Sequence, residues 1–398
     1  MENCVEINEC IACGGNHLKP LLDLGEQPLA NSFIKTIDET EDKFPLATNY
    51  CEDCFHVQLT HKVDPDLLFK NYLYVSGTAK TQLEYFDWFA KFVVENGKPE
   101  RVLDIGCNDG SQLDAFKKYG VVTFGVDPAE NLYEISSKKH SVYCGYFNLT
   151  YPRIGADAII CQNAFAHNYD QLEFLINMKE VLSDNGYIYI TTSQADMILN
   201  GEFDTIYHEH LSFYNIRSMN ALCKRAGLYI HEVLRHPIHG TSFIFVLAKS
   251  MSKERSAYVE LLLEAETVLY DAETYEGYSE VCESLIKNFG KIVEQLKEDY
   301  VVVGYGAPAK GNTLLNAAKA KLDFIIDDNL LKQGLFTPGM HITVYGSDKL
   351  GEYGDQPLVF VPLAWNFFNE ITSKIKKLRP DTKDLFLKIH PFVYLESA

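Results

Sequence analysis

Between residues 78 and 96, Leu83, Phe86, Phe89, Ala90 and Val93 recur at spacings of three and four, which predicts an amphipathic helix. Short apolar runs then alternate with helical patterns. Strands are expected at 101–105, 121–126, 156–162 and 187–193, and helices at 111–118, 130–138 and 171–182. Asn185-Gly186 reads as the turn before the last of these strands. Such alternation makes a parallel sheet with helices on both faces. Runs at 229–234 and 242–248 would close the sheet as an antiparallel pair. Residues 252–298 are acidic and helical in pattern, with no strand signal. From Tyr300 the alternation restarts, with strands expected at 301–304, 324–327, 358–361 and 385–389 and helices at 312–319 and 366–378.

The first 70 residues break this rhythm. They hold several Pro and Gly and no long periodic run, and read as a small loop-rich module that a metal must hold together. Cys10-Ile-Ala-Cys13 and Cys51-Glu-Asp-Cys54 supply the means. Two residues between cysteines let both thiolates reach one ion from a tight turn, and four thiolates complete the tetrahedral shell of Zn²⁺. A full shell leaves no position for water, so the site is expected to be structural. Gly14 and Gly15 follow the first pair, where a knuckle often needs positive φ. His17, His56 and His61 are spare ligands that the spacing does not demand.

Charge narrows the partners. The 398 residues carry a net charge of −19, and no basic footprint for a nucleic acid is visible. A small anionic substrate stays open, because a pocket needs only two or three local cations. No run approaches the roughly 20 apolar residues of a spanning helix. The N-terminus lacks the pattern of a signal peptide. A cytoplasmic protein that touches neither membrane nor nucleic acid, and works as a monomer or small homo-oligomer, is expected. Disulfides are not expected there, and the six cysteines outside the two pairs read as small apolar residues.

Val102-Leu-Asp104-Ile-Gly106-Cys-Asn108-Asp109-Gly110 is the most informative stretch. A strand runs through Asp104 into a glycine turn and then a helix. Gly106 lets backbone approach a ligand, and Gly110 permits the turn. Dinucleotide sites place a pyrophosphate at such a helix N-terminus. Here Asp104 and Asp109 would repel a pyrophosphate and suit the ammonium and sulfonium of S-adenosylmethionine. The next strand ends in Asp127-Pro128, an acid placed for a ribose diol. Tyr146-Phe147-Asn148 is expected to flank the adenine, and Gln162-Asn163 ends the following strand on the same rim.

Tyr207-His208-Glu209-His210 places a phenol, a carboxylate and two imidazoles together after the strand at 187–193, over the methyl-donor end. The zincin spacing of two histidines four apart around a glutamate is absent. Transfer to oxygen or nitrogen needs at most one base. Transfer to carbon needs a base for a proton beside a carbonyl and a donor for the enolate oxygen, and this cluster can supply both. His167 ends a neighbouring strand and is a further donor. A second motif, Gly304-Tyr-Gly306-Ala-Pro-Ala309-Lys310-Gly-Asn312, fits G-x-G-x-x-A with Asp327 on the next strand. Alone it suggests a nicotinamide dinucleotide. Lys310 at the helix start equally suits the phosphates of a nucleotide sugar.

Together these pieces resemble the sugar C-methyltransferases of deoxysugar pathways, over essentially the whole chain. The resemblance rests on Cys10/Cys13/Cys51/Cys54, Tyr74-Val-Ser76-Gly-Thr78, Asp104–Gly110, Tyr207–His210 and Gly304–Gly311. It implies an α/β fold of two Rossmann-like doubly wound domains plus the zinc module. The expected divisions are 1–75 for the zinc module, 76–250 for the methyltransferase domain, 251–299 for a helical linker and 300–398 for the C-terminal domain. It implies a nucleotide-linked 4-keto-6-deoxysugar methylated beside the ketone, typically at C3. It implies His210 as the base, Glu209 and Tyr207 positioning it or the sugar, and His167 and Tyr74 lining the cleft. His208, the His239-Gly240 turn, Lys310 and Asn312 would contact the substrate. The family often has His-Gly-Gly-Ser where this chain has His239-Gly240-Thr241-Ser242, which opens the sugar identity. O- or N-methylation, a dinucleotide-dependent sugar oxidoreductase or epimerase, and a zinc-ribbon binding protein with a degenerate core are the rival readings.

Overall fold

The computed structural model describes residues 3–70, 75–78, 80–193, 196–250 and 255–397. The chain divides into two compact units. Met1–Pro20, Asn49–Ala195 and Glu209–Ala272 form the first; Leu21–Thr48, Asp196–His208 and Glu273–Ala398 form the second. The chain therefore changes unit between the two cysteine pairs, and again between His208 and Glu209.

The N-terminal region holds β1 (Cys4–Glu6), β2 (Leu18–Pro28), β3 (Lys43–Cys51), β4 (Val57–Leu59), β5 (His61–Val63) and α1 (Pro65–Phe69). It carries more strand than its sequence suggests. Phe44, Leu46 and Thr48 alternate on the buried face of β3. Pro45 and the Gly25 within β2 mask that period, since both residues ordinarily mark strand breaks.

In the first unit, α2 (Lys80–Gly97) precedes β6 (Arg101–Ile105), α3 (Ser111–Lys117), β7 (Val122–Asp127), α4 (Glu130–Ser136), β8 (Ser141–Cys144) and β9 (Ala156–Gln162). Then come α5 (Gln171–Val181), β10 (Leu182–Ser193), the short α6 (Met197–Asn200), which belongs to the second unit, and β11 (Ser212–Phe213). β11 pairs with β4, outside the main sheet. The unit continues with α7 (Ile216–Ala226), β12 (Tyr229–His236), β13 (Ser242–Ala248) and α8 (Ala257–Ala265). The main sheet has the order β12-β13-β10-β9-β6-β7-β8. β13 is antiparallel to both neighbours, and the other pairs are parallel.

Side chains alternate across this sheet into two cores. Leu103, Ile159, Ile188 and Phe245 face one, with α5 and α7. Val102, Ile160, Tyr189 and Ile244 face the other, with α2. Burial on both faces is why these strands read as continuous apolar runs. On α2 the buried face is Gln82, Tyr85, Phe86, Phe89, Ala90 and Val93. Leu83, expected on that face, is 41% exposed, while Gln82 and Tyr85 are buried on it. Asn185-Gly186 is not a free turn. It lies within the irregular start of β10, where the register shifts between Leu182 and Tyr187.

The second unit is built on α9 (Ala272–Asp299), β14 (Val301–Tyr305), α10 (Ala309–Ala318), β15 (Phe324–Ile326), β16 (Val344–Tyr345), β17 (Leu358–Pro362), α11 (Phe368–Leu378), β18 (Leu385–Lys388) and β19 (Tyr394–Ser397). Its sheet runs β16-β15-β14-β17-β18-β19, parallel except for the last pair. In each main sheet the first strand of the α/β repeat, β6 or β14, has a later strand on either side. The strand order reverses there, and the crevice beyond such a strand is where open α/β sheets bind ligands.

The helix α7 was not anticipated, although its signals stand in the sequence. Asn215 accepts from the Ser218 N–H at 2.7 Å, the Ser218 hydroxyl accepts from the Asn215 N–H at 3.2 Å, and Gly227 closes the helix at φ 66°. Asn215 also donates to the Phe55 carbonyl at 2.7 Å. Replacement by Ala removes both ties. A loss of about 1–2 kcal/mol in urea unfolding is expected for Asn215→Ala, against a few tenths for Asn215→Gly in the cap alone.

Candidate active site and metal centre

The two cysteine knuckles are built alike. The Gly14 N–H donates to the Cys10 carbonyl at 2.8 Å, and the Phe55 N–H to the Cys51 carbonyl at 2.7 Å. Both residues after the second cysteine take positive φ, 79° at Gly14 and 56° at Phe55. A Cβ on Gly15 would lie 2.4 Å from Asp53 Oδ2, so a side chain there would displace the Asp53 carboxylate. The four sulfurs lie within 4.8 Å of one another, with Cys10–Cys54 and Cys13–Cys51 each at 3.6 Å. Thiolates about 2.3 Å from one ion in a tetrahedron stand about 3.8 Å apart, so the set fits zinc. The three nearby histidines are engaged elsewhere: His17 with Asp53 at 3.0 Å, His56 with Ser212 at 3.1 Å and His61 with Thr60 at 2.9 Å. Helix α7 grips both knuckles. Arg225 donates to the carbonyls of Ile11 and Ala12 at 3.0 Å, and Arg217 to that of Asp53 at 2.8 Å. Cys10, Cys51 and Cys54 share one hydrophobic cluster with Met219, Leu222 and Cys223 of that helix.

The loop after β6 is shaped for a ligand. Gly106 at φ 80° has no room for a side chain, since its Cβ would meet that of Ala164 at 2.7 Å. Gly110 at φ 84° opens α3 without a side-chain cap. Asn108 at φ 51° and Asn163 at φ 52° hold the left-handed region where asparagine is tolerated. Asp104 is 3% exposed. Burial first, then the nearby charges of Asp127 and Asp109, push its carboxyl well above the usual range. Among the described residues no Lys or Arg pairs with it, and burial favours its neutral form. Asp127 accepts from the N–H groups of Asn108 at 2.8 Å and Ala129 at 2.9 Å, which fixes its carboxylate at the end of β7. Pro128 beside it is half-buried. Asp109 accepts from Gly77 at 3.0 Å and Ser111 at 3.1 Å, and Asn108 Oδ1 from Ser76 at 2.9 Å. The Val75–Thr78 segment is thereby seated on the loop. A Cβ on Gly77 would come within 2.5 Å of both Asp109 and Ser111.

At the neighbouring strand ends the Asn163 side chain accepts from the Ser193 N–H at 3.2 Å. Gln162 donates to Gln112, and its own oxygen is buried with no partner; so are His167 Nε2 and Thr192 Oγ1. Phe147 is 7% exposed and packs edge-on against Phe174 at 5.5 Å, as part of the core. His167 stacks between Phe69 at 5.6 Å and His210 at 5.1 Å. Burial draws the His167 pKa down to about 4. Glu209 and His210 are 3% and 6% exposed in the same unit. His239 and Gly240 form the positive-φ turn between β12 and β13, at 57° and 104°. Tyr74 lies outside the described residues.

Tyr207 and His208 belong to the second unit. His208 donates through Nε2 to the Phe44 carbonyl at 3.2 Å, which sets its tautomer and leaves Nδ1 buried without a partner. Burial draws its pKa to about 4 as well. Lys310 stands over the Trp365 ring at 4.5 Å, at the first turn of α10. Asn312 is spent on structure, donating to the Ala30 carbonyl at 2.8 Å. Asp327 accepts from Ala307 at 2.6 Å and Asn329 at 2.8 Å, turned onto its own loop. Asp204, Trp365 and His390 cluster beside Lys310 and were not anticipated, since nothing in their spacing links them.

Zinc analysis is expected to return one ion per chain, and Cys51→Ser to lower the melting temperature by more than about 5 °C. The buried histidines set an acid limit. His167 ionises near 4 when folded and near 6.5 when unfolded. Its contribution is whole above pH 6.5 and is lost as pH falls towards 4, on the order of 3 kcal/mol. Urea midpoints between pH 7.5 and 4.5 are expected to fall accordingly, and less steeply in His167→Asn.

Three family models match successive stretches of the chain: a zinc binding domain over residues 10–69, a methyltransferase domain over 78–233 and a C-methyltransferase C-terminal domain over 237–389. The C-methyltransferase NovU of Streptomyces niveus is 28% identical over 391 residues, covering 93% of each chain. Among solved structures, a SAM-dependent methyltransferase from Aquifex aeolicus is 20% identical, covering 42% of this chain and 93% of its own, at a TM-score of 0.35. The PH0226 protein of Pyrococcus horikoshii is 13% identical, covering 44% and 95%, at a TM-score of 0.38. No described helix is long and apolar enough to cross a membrane. With its four-cysteine zinc site and these three matched stretches, the chain is an S-adenosylmethionine-dependent C-methyltransferase that joins a zinc-binding module, a methyltransferase domain and a C-terminal domain.

Proposed function

We propose that the chain methylates a nucleotide-linked 4-keto-6-deoxysugar at C3, the carbon beside the ketone. The observation that carries this reading is the concentration of buried acid–base groups around His210. Its ring lies 5.1 Å from that of His167, whose Nε2 has no partner. Methyl transfer to a hydroxyl or amine needs at most one base. A carbon acceptor needs a base and an oxyanion donor together.

S-adenosylmethionine supplies an electrophilic methyl group on its sulfonium. Asp104 holds the cationic end, Asp127 takes the ribose hydroxyls, and Gly106, Asn108, Asp109 and Gly110 shape the loop. Pro128, Gln162 and Asn163 border the adenine. His210 removes the C3 proton, and the bonding pair moves onto the ketone oxygen as an enolate. Glu209 orients His210. Tyr207 and His167 donate to that oxygen, and Tyr74 lines the cleft. The enolate carbon then bonds to the methyl as the sulfur–methyl bond breaks, and His210 returns its proton to water. His208, His239 and Gly240 contact the sugar, with Lys310 on the nucleotide side. The same reading divides the chain at 1–75, 76–250, 251–299 and 300–398.

The test uses ¹³C-methyl S-adenosylmethionine with a panel of nucleotide 4-keto-6-deoxysugars, read by carbon–proton NMR. A new methyl on a sugar carbon is expected, and His210→Asn is expected to lower turnover by roughly 10²- to 10⁴-fold and to stop solvent exchange at C3. A methyl on oxygen or nitrogen overturns the enolate mechanism.

A further inference from the structure

The segment that leads into the Tyr207–His210 cluster has no regular structure. Residues 201–206 form neither helix nor strand, yet every one is buried. A buried loop needs partners for its polar groups, and a sharp position needs more than one. Its partners come from the second unit. The Tyr278 hydroxyl donates to the Glu202 carbonyl at 3.1 Å, and Cys282 Sγ lies 3.7 Å from the Gly201 carbonyl. The Trp365 indole N–H donates to Asp204 Oδ2 at 2.6 Å.

Asp204 is 1% exposed, so this is a charge-assisted bond out of water. Its other oxygen has no hydrogen-bond partner and stands 3.9 Å from His390 Nε2. His390 is 7% exposed, has neither ring nitrogen satisfied, and packs on Trp365 at 4.7 Å. Trp365 and His390 come from the loops after β17 and β18, with Lys310 from the first turn of α10 after the adjacent β14, at the edge where such sheets bind ligands. Unmet polar atoms inside a packed cluster are costly and serve no purpose in holding a fold alone.

We infer that Asp204, held by Trp365 and faced by His390, is a positioning residue for the methyl transfer, fixing the segment that carries Tyr207 three residues on. The inference rests on the role proposed above for Tyr207. It gives the C-terminal domain a task besides substrate contact: it moulds a segment that the first sheet delivers in sequence. Loss of the Asp204–Trp365 bond releases 201–208, and Tyr207 then spends only part of its time in the reactive position.

The test compares wild type with Trp365→Phe, which keeps an aromatic ring and removes the donor, and with Asp204→Asn, which keeps shape and removes charge, should the first fail to fold. Three readings are taken on the full chain: S-adenosylmethionine affinity by calorimetry, amide exchange of peptides spanning 201–208, and turnover with labelled donor on whichever acceptor the wild type uses. Unchanged donor affinity, about tenfold faster exchange confined to 201–208, and a kcat reduced at least about tenfold with little change in acceptor KM are expected. Unchanged exchange in both variants overturns the inference, as does faster exchange with unchanged kcat. A wild type that ignores every keto sugar but methylates another acceptor removes the sugar reading and leaves this comparison in force.

Discussion

Four thiolates around one ion are the constraint on which the chain's layout depends. Both cysteine pairs lie in the first unit, with Leu21–Thr48 spent in the second unit between them. Metal–thiolate bonds close that loop and are far stronger than the hydrogen bonds of the knuckles. The knuckles do not stand by themselves. Arg217 and Arg225 of α7 cover their carbonyls, and their sulfurs are walled by the same cluster that packs α7 on the first sheet. The excursion also does structural work at its far end. It offers the carbonyls of Ala30 and Phe44 to Asn312 and His208, and the carboxylate of Glu41 to His341 at 2.5 Å.

Burial then divides the chemistry of the first unit into two environments. Around the β6 loop it gathers carboxylates, and burial first, then the charges of Asp127 and Asp109, push the Asp104 carboxyl well above the usual range. A few residues away, burial does the opposite to imidazole and keeps His167 neutral at physiological pH. A neutral imidazole can take or give a proton, which a permanently charged group cannot. One cause, removal from water, thus moves the Asp104 carboxyl up and the His167 imidazole down, each towards its neutral form.

Much of this was legible. The C-x2-C pairs fix their chemistry by geometry local to each knuckle, and the Asp104–Gly110 turn follows directly from a strand, two glycines and a helix start. The α/β alternation is legible because strands buried on both faces cannot hide their apolar content. Short edge strands such as β8, β16 and β19 are not, because two to four residues carry no measurable period. Phe147 reads as an adenine neighbour by position, yet its ring lies in the core, since whether an aromatic turns inward depends on what the facing helix leaves open. Asn312 follows a ligand-loop motif and is spent on the Ala30 carbonyl.

By itself the sequence determined the two cysteine knuckles, the succession of the longer strands and helices, and the Asp104–Gly110 turn. Each knuckle, each long element and the turn depends on residues within about ten positions of one another, where spacing alone dictates geometry. Only the tertiary structure decided that the 21–48 excursion joins the second unit, that His167 stacks on His210, and that Asp204 is held by Trp365 across 161 positions of sequence. These pairings are chosen by which side chains the folded cores leave facing each other, and no local period encodes that choice.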